Sequence, residues 1–258
     1  MLVILLKKLN EMKVSIVIPC YNFENYIEQS ILSAVSQKTN FEFEILVRDD
    51  FSTDNSQSII DRVANFNTNV KVFKPDENWG AQRNITFLME QSKGEYIAYL
   101  DGDDYWTDVY KLQKQVDFMD SNPEYIMTFT GHWMKKENEY SPSIPYQWLC
   151  LPGYFESDEI KIEDLVKGNW SSSFGRLFRN TTGLFKDWMM DVFYFDWITN
   201  YELSKLGKIK YLDFPSGVYR IHSNGALSGM EHEKSVNHAR DILRLILNDY
   251  EKFIKKND

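Results

Sequence analysis

Three aspartates fall within four residues, Asp101-Gly102-Asp103-Asp104, directly after the apolar run Tyr96-Ile-Ala-Tyr-Leu100. Carboxylates this close repel one another unless a cation sits among them. Oxygen ligands favour Mg2+ or Mn2+, and such an ion bridges a carboxylate to a diphosphate while water or substrate fills its other positions. A solvated acidic turn is the plain alternative; the place at the end of a strand raises the motif above it. Arg220 and His222 stand two residues apart in Val218-Tyr-Arg-Ile-His222, so on a strand they share a face. A cation beside a possible metal ligand favours an anion site. Asp196, between Phe195 and Trp197 at the start of a helical stretch, reads either as a general base for a hydroxyl or as a helix N-cap. Arg83, after Asn78-Trp-Gly80, reads either as a diphosphate contact or as half of a surface ion pair. His132, His232 and His238 carry no constellation.

The elements that must carry these residues alternate regularly in the first half. Val14-Ser-Ile-Val-Ile-Pro19 is a buried strand, and Ile27, Ile31, Ala34 and Val35 give 25–37 one apolar helical face. Strands are predicted at 44–47, 70–73 and 96–100. Helices are predicted from 52 to 65, where Ser, Thr, Asp and Asn side chains cap the free amides, and over 81–92, ended by Gly94. This βαβ order implies a mostly parallel sheet whose ligands lie beyond the carboxyl ends of its strands. Neither G-x-G-x-x-G nor G-x-x-x-x-G-K-[ST] occurs, so a dehydrogenase and a P-loop nucleotidase lose their main support. The second half is less regular and rich in aromatics: Trp133, Trp148, Trp170, Trp188 and Trp197. Such rings can stack on sugars, but core or loop packing is the expectation for any single one. A helix is predicted at 196–206 and strands at 209–212 and 217–221. From 231 onward Val236, Ala239, Ile242, Leu243, Ile246, Tyr250 and Phe253 form a stripe that packs on its own domain.

With 258 residues, 43% of them hydrophobic, the chain suits one folding unit. Its net charge of −9 repels a phosphate backbone, so no nucleic acid is expected as a partner. Two cysteines, Cys20 and Cys150, are too few for a disulfide framework and suit a reducing cytoplasm. The apolar run before Lys7 is far short of the ~20 residues that span a bilayer and lacks a signal-peptide shape. A cytoplasmic place is therefore expected, with no transmembrane segment and with peripheral contact at the inner face of the membrane left open. Met1 and Met12 both remain candidate starts.

These motifs, in this order, resemble the family-2 glycosyltransferases with the GT-A fold. The likeness runs from 14 to about 228. It is densest in Val14-Ser-Ile-Val-Ile-Pro-Cys-Tyr-Asn22, Asp49-Asp-Phe-Ser-Thr-Asp54, Asn78-Trp-Gly80 with Arg83-Asn84, and 94–104. The resemblance implies that Pro19, Tyr21 and Asp50 line the nucleoside pocket, with Asp50 accepting a hydrogen bond from the base. It implies too that Asp101 lies near the ribose or diphosphate and that Asp103 is the metal ligand. Further likeness in Gly168-Asn-Trp170 with Ser171-Ser-Ser173, in Phe178-Arg-Asn180, in Phe195-Asp-Trp197 and in Val218-Tyr-Arg-Ile-His-Ser223 implies that Asp196 is the general base, while Arg220 and His222 close over diphosphate and metal.

The expected fold is thus a single α/β GT-A domain over 1–258. Residues 14–110 form a nucleotide-sugar half, 111–228 an acceptor half and 229–258 a C-terminal amphipathic helix. The implied activity is metal-dependent, inverting transfer of a hexosyl-type sugar, a UDP-sugar favoured, onto a hydroxyl acceptor in cell-surface glycan or lipid-linked saccharide synthesis. The Gln-x-x-Arg-Trp motif of processive synthases is absent, which implies a soluble, non-processive, bacterial-type member. A sugar nucleotidylyltransferase is the enzymatic rival, but it would open with a glycine-rich basic loop where Pro19-Cys-Tyr-Asn-Phe-Glu24 stands. A catalytically silent sugar-binding protein of the same fold is the other, and intact Asp103, Asp196 and His222 argue against it.

Overall fold

A computed structural model describes residues 12–136, 144–145, 158–169, 175–181, 183–225 and 229–257. The chain begins with β1 (Val14–Cys20), α1 (Ile27–Val35), β2 (Phe43–Asp49), α2 (Ser56–Ala64), β3 (Val70–Phe73), α3 (Ala81–Glu90) and β4 (Tyr96–Tyr99). β1 is buried at all seven positions because β2 and β4 flank it in parallel and helices cover both faces. Val14, Ile16 and Ile18 pack with α1 and α2 residues such as Ile27, Ile31 and Ile60. Val17 points the other way, into a cluster with Leu88 of α3. This alternation fixes the register, since a slip of one residue would exchange the two faces.

The second half continues with β5 (Tyr105–Trp106), α4 (Lys111–Ser121), β6 (Tyr125–Lys136), β7 (Ile144–Pro145), β8 (Glu159–Ile160), α5 (Ile162–Leu165) and β9 (Leu177–Arg179). A 3-10 turn at Asp187–Asp191, α6 (Phe195–Ser204), β10 (Lys208–Ile221) and α7 (His232–Asn257) follow. All the described strands join one sheet, ordered β3-β2-β1-β4-β9-β6-β10-β5, with β7 on β6 and β8 on β10. β9 enters antiparallel between β4 and β6, so the parallel first half and the mixed second half share one sheet.

The structure corrects some sequence expectations and bears out others. The strands expected at 209–212 and 217–221 are one strand, β10, with register shifts against β6 at Leu212/Pro215 and Pro215/Val218. Proline has no amide to donate, so the ladder bends there without ending. α2 begins at Ser56 and not at 52; the expected capping is present in part, since Asp54 accepts from the Ser56 amide at 2.9 Å while the N-cap Asn55 makes no side-chain bond. Trp197 is core: it is buried, and its indole N–H donates to the Leu165 carbonyl at 2.8 Å. Trp188 is exposed. Cys20 is a buried free thiol. The expectations for Cys150, Trp148, Trp170, residues 171–173, 226–228 and the first eleven residues lie outside the described residues. Among the described residues no helix is long and apolar enough to cross a membrane. α7 turns Ile242 and Ile246 inward, and Asp249 accepts from the Tyr201 hydroxyl at 2.9 Å, so its stripe does pack on the domain.

Candidate active site

Past the end of β4 the chain turns sharply through 101–104. Gly102 is required there, because a Cβ at that position would lie 2.6 Å from the Pro19 carbonyl oxygen. That approach sets the acidic turn against the end of β1. Tyr99 is buried, burial pushes its phenol well up, and the hydroxyl donates to Asp101 Oδ1 at 2.6 Å. Asp101 is thereby oriented from below.

Asp103 and His222, 119 residues apart in sequence, meet with Oδ2 and Nε2 separated by 3.1 Å. The imidazole is held by Tyr26, at 4.5 Å between ring centroids, and by the edge of Phe23 at 6.2 Å. Arg220 donates through its guanidinium to the Asp103 carbonyl and to Gln29 Oε1. That group lies 4.4 Å from the Tyr105 ring centroid and 5.2 Å from that of Tyr26. The Arg220 amide donates to Asp104 Oδ1 at 2.8 Å. Asp104 is fully buried, and its second oxygen has no hydrogen-bond partner among the described residues. Burial pushes its carboxyl well up, Asp103 and Asp101 push the same way, and Arg220 opposes them.

Asp103 with His222 offers one oxygen and one nitrogen ligand. Among the described residues no group of three or more His, Cys, Asp or Glu could hold a metal ion. A two-ligand set fits a cation that takes its remaining ligands from phosphate oxygens and water, as Mg2+ sites do, and not an all-protein cage.

Asp50 is buried and heavily engaged. Its Oδ1 accepts from Arg48 at 2.9 Å and from the Trp79 amide at 3.0 Å, and its Oδ2 accepts from the Gly80 amide at 2.8 Å. Arg48, 1% exposed, stacks its guanidinium 3.8 Å over the Trp79 ring and donates to Asn84 at 2.8 Å. Asn22 and Phe51, which follow β1 and β2, both take positive φ, 57° and 65°, so both strand ends turn in a conformation that L-residues avoid. Tyr21 is 45% exposed beside them. Arg83 is exposed on α3, lining a cavity of about 340 Å3 with Trp79, Phe87 and Met190. Among the described residues it makes no hydrogen bond or ion pair with the 101–104 turn.

Asp196 lies inside the first turn of α6, whose N-cap is Tyr194, so the capping role is not the one it plays. Its Oδ2 accepts from Asn169 Nδ2 at 2.7 Å. Buried Arg176 donates to the Asp196 carbonyl at 3.4 Å and to Asn200 Oδ1 at 3.0 Å, while its guanidinium lies 5.3 Å from the Tyr99 ring centroid. Arg176 thus links the Asp196 side to the Asp101 side. Tyr219 of β10 faces both: burial raises its phenol, and the charges of Asp104, Asp101, Asp103 and Asp196 raise it further. Sequence reasoning missed Arg176, Tyr99 and Tyr219. Only the place of Tyr99 at the end of β4, two residues before Asp101, signalled any of them.

A mixed sheet, parallel through β3-β2-β1-β4 and not the mostly parallel one expected, with helices on both faces and acidic residues past the fourth strand, is the frame of a GT-A-type α/β domain. The family model described as Glycosyl transferase family 2 matches residues 15–179. The chain belongs to that family. It is 29% identical over 221 residues to an uncharacterised protein of Mycobacterium tuberculosis, covering 82% of this chain and 59% of the relative. It is 32% identical over 124 residues to the UDP-Glc:alpha-D-GlcNAc-diphosphoundecaprenol beta-1,3-glucosyltransferase WfaP of Escherichia coli, covering 48% of this chain and 47% of WfaP. The chain therefore spans about half to three fifths of the length of these curated relatives. Among solved structures, S. aureus TarS 1-349 in complex with UDP-GlcNAc superposes with a TM-score of 0.63 at 22% identity, covering 85% of this chain and 62% of TarS.

Proposed function

We propose that this protein is an inverting glycosyltransferase that moves a sugar from a nucleotide diphosphate donor, a UDP-sugar favoured, to a hydroxyl acceptor in cell-surface glycan or lipid-linked saccharide synthesis. The observation that carries the reading is the meeting of Asp103, His222 and Arg220 past the end of β4. An anion-seeking cation and a two-ligand metal pair at one strand end are what a nucleoside diphosphate requires. The UDP-sugar in the name of WfaP and in the TarS complex supports the choice of uridine.

In this reading Pro19, Tyr21 and Asp50 line the nucleoside pocket, and Arg83 stands at its edge. Asp101 lies by the ribose or diphosphate. Residues 14–110 serve the donor and 111–228 the acceptor. Asp196 takes the proton of the acceptor hydroxyl as its oxygen attacks the anomeric carbon on the face opposite the leaving group. The bond to the donor's β-phosphate oxygen breaks with its electron pair, and Arg220 meets the charge that builds there. A Mg2+ or Mn2+ held by Asp103 and His222 would add charge neutralisation at the same oxygens.

Titration of UDP, GDP and dTDP by calorimetry, in EDTA and then in Mn2+, tests the reading. The preferred nucleotide is expected to bind more tightly with Mn2+. Equal affinity in both conditions removes the metal role of Asp103 and His222, and no binding of any nucleotide removes the donor site itself.

A further inference from the structure

The 101–104 turn and the end of β10 come from distant parts of the chain, yet they meet. Backbone pairing achieves part of this, because β5 pairs antiparallel with β10 through Tyr105 with Val218 and Trp106 with Gly217. That pairing stops at Val218, two residues short of Arg220. β6 supports the other edge as far as Ile221. What ties this stretch of β10 to the acidic turn is the Asp104 carboxyl, which accepts the Arg220 amide at 2.8 Å. An amide hydrogen bond fixes backbone position, whereas the guanidinium contacts to Asp103 and Gln29 run through a long flexible stem.

Asp104 differs from its neighbours in a second respect. It has no exposed surface, and its other oxygen is buried without a partner among the described residues. An acidic turn residue with no task would face water, since burying an unsatisfied oxygen costs free energy. A ligand for an incoming cation would face the cleft, as Asp103 does in part. We propose that Asp104 is a positioning residue that latches the end of β10 to the 101–104 turn through the Arg220 amide, and so sets the separation of Asp103 and His222. The proposal rests on the reading of Asp103 and His222 as the metal and diphosphate site.

The test compares Asp104→Ala, Asp104→Asn and Asp103→Asn in the full chain. It reads amide hydrogen exchange, Mn2+–UDP affinity by calorimetry, and donor kinetics. Asp104→Ala is expected to speed exchange at the Arg220 amide about tenfold, the weight of one lost hydrogen bond, while amides 209–212 keep their protection. Mn2+–UDP affinity should fall by a similar factor, with donor KM raised and kcat at saturating donor within about threefold of wild type. Asp104→Asn keeps a carbonyl acceptor and should restore exchange and affinity to within about threefold. A lower melting temperature in Asp104→Ala with exchange and affinity unchanged would make the residue merely structural and overturn the latch. Loss of Mn2+ affinity in Asp104→Asn as deep as in Asp103→Asn would make it a ligand and overturn the latch equally. Should Asp104→Ala fail to fold, the Asn variant decides alone: preserved affinity supports the latch and lost affinity sinks it. Failure of the underlying metal reading shows in wild type, as equal UDP binding in EDTA. The latch then stands or falls on exchange at the Arg220 amide.

Discussion

Asp196 and Asp50 are single carboxylates for which the surroundings prescribe different outcomes on the same change to asparagine. Asp196→Asn keeps the shape and can still accept from Asn169, but it cannot take a proton. Under the proposed mechanism, transfer at saturating donor and acceptor should drop by ~10²–10⁴-fold while donor affinity holds. Retention of more than about a tenth of wild-type kcat would dismiss Asp196 as the base. Asp50→Asn is a different case, because Asp50 accepts from Arg48 and from two backbone amides. An amide nitrogen in place of one oxygen points donor at donor, which should cost about 1–3 kcal/mol and raise donor KM as the Trp79–Gly80 backbone shifts. Urea unfolding beside steady-state kinetics checks this; unchanged stability would mean that those amides find other acceptors. At this scale the sequence singled out Asp103, Arg220 and His222, which the structure brings together, and Asp196, whose role as base is the proposal tested above. It hid Arg176, whose bonding partner Asn200 lies on another element, and the tie between Asp104 and Arg220, whose 116-residue separation leaves no local pattern.

Among the elements, β1 and β4 were legible because strands buried on both faces read as continuous apolar runs. β6 was not: Thr128, Thr130, Gly131 and His132 interrupt its apolar pattern, although the strand runs from Tyr125 to Lys136. β10 was read as two strands because Asp213-Phe-Pro-Ser-Gly217 has the composition of a turn, and only pairing with β6 carries it through. The insertion of β9 between β4 and β6 is a long-range event with no signature of its own. The close approach of β4 to β1 gives a prediction at this scale. Gly102→Ala would place a methyl 2.6 Å from the Pro19 carbonyl, so the turn must move outward. A stability loss of about 1–3 kcal/mol, typical of overpacking, is expected together with weaker nucleotide binding. Calorimetric affinity equal to wild type would show that the turn can move without disturbing the site.

For the whole molecule, two buried basic groups shape the response to pH. Burial holds the His132 imidazole down to about 4 from its ordinary 6.5. Burial likewise holds the Lys111 amine down to about 7 from 10.5, with Asp108 opposing. Both groups are favoured in their neutral form on folding. Between the folded and unfolded values the unfolded chain binds more protons, so stability rises with pH. The His132 contribution is complete above 6.5 and is lost as pH falls toward 4; that of Lys111 grows between 7 and 10.5. The acidic limit lies lower. Glu44, Asp54, Asp120 and Asp249 have carboxyls below their ordinary 4.5 and 3.8, their hydrogen bonds outweighing burial, so their stabilisation disappears only as pH falls through those lowered values. Melting temperature against pH should therefore flatten between 4 and 6.5 in His132→Gln and above 7 in Lys111→Met. A wild-type curve already flat in either window would show that group to be solvated.

The 119-residue separation of Asp103 from His222 also bears on synthesis of the chain. At the roughly 5–20 residues per second at which ribosomes work, about 6–24 s pass between the appearance of the two side chains. Throughout that interval a nascent chain can already pair β1 with β2 and β4, because those strands are complete by Tyr99. It cannot yet oppose Arg220 and His222 to the acidic turn. A chain stalled or clipped before 220 would thus keep the strands that pair with β1 while lacking Arg220 and His222, the two groups that β10 sets against the acidic turn.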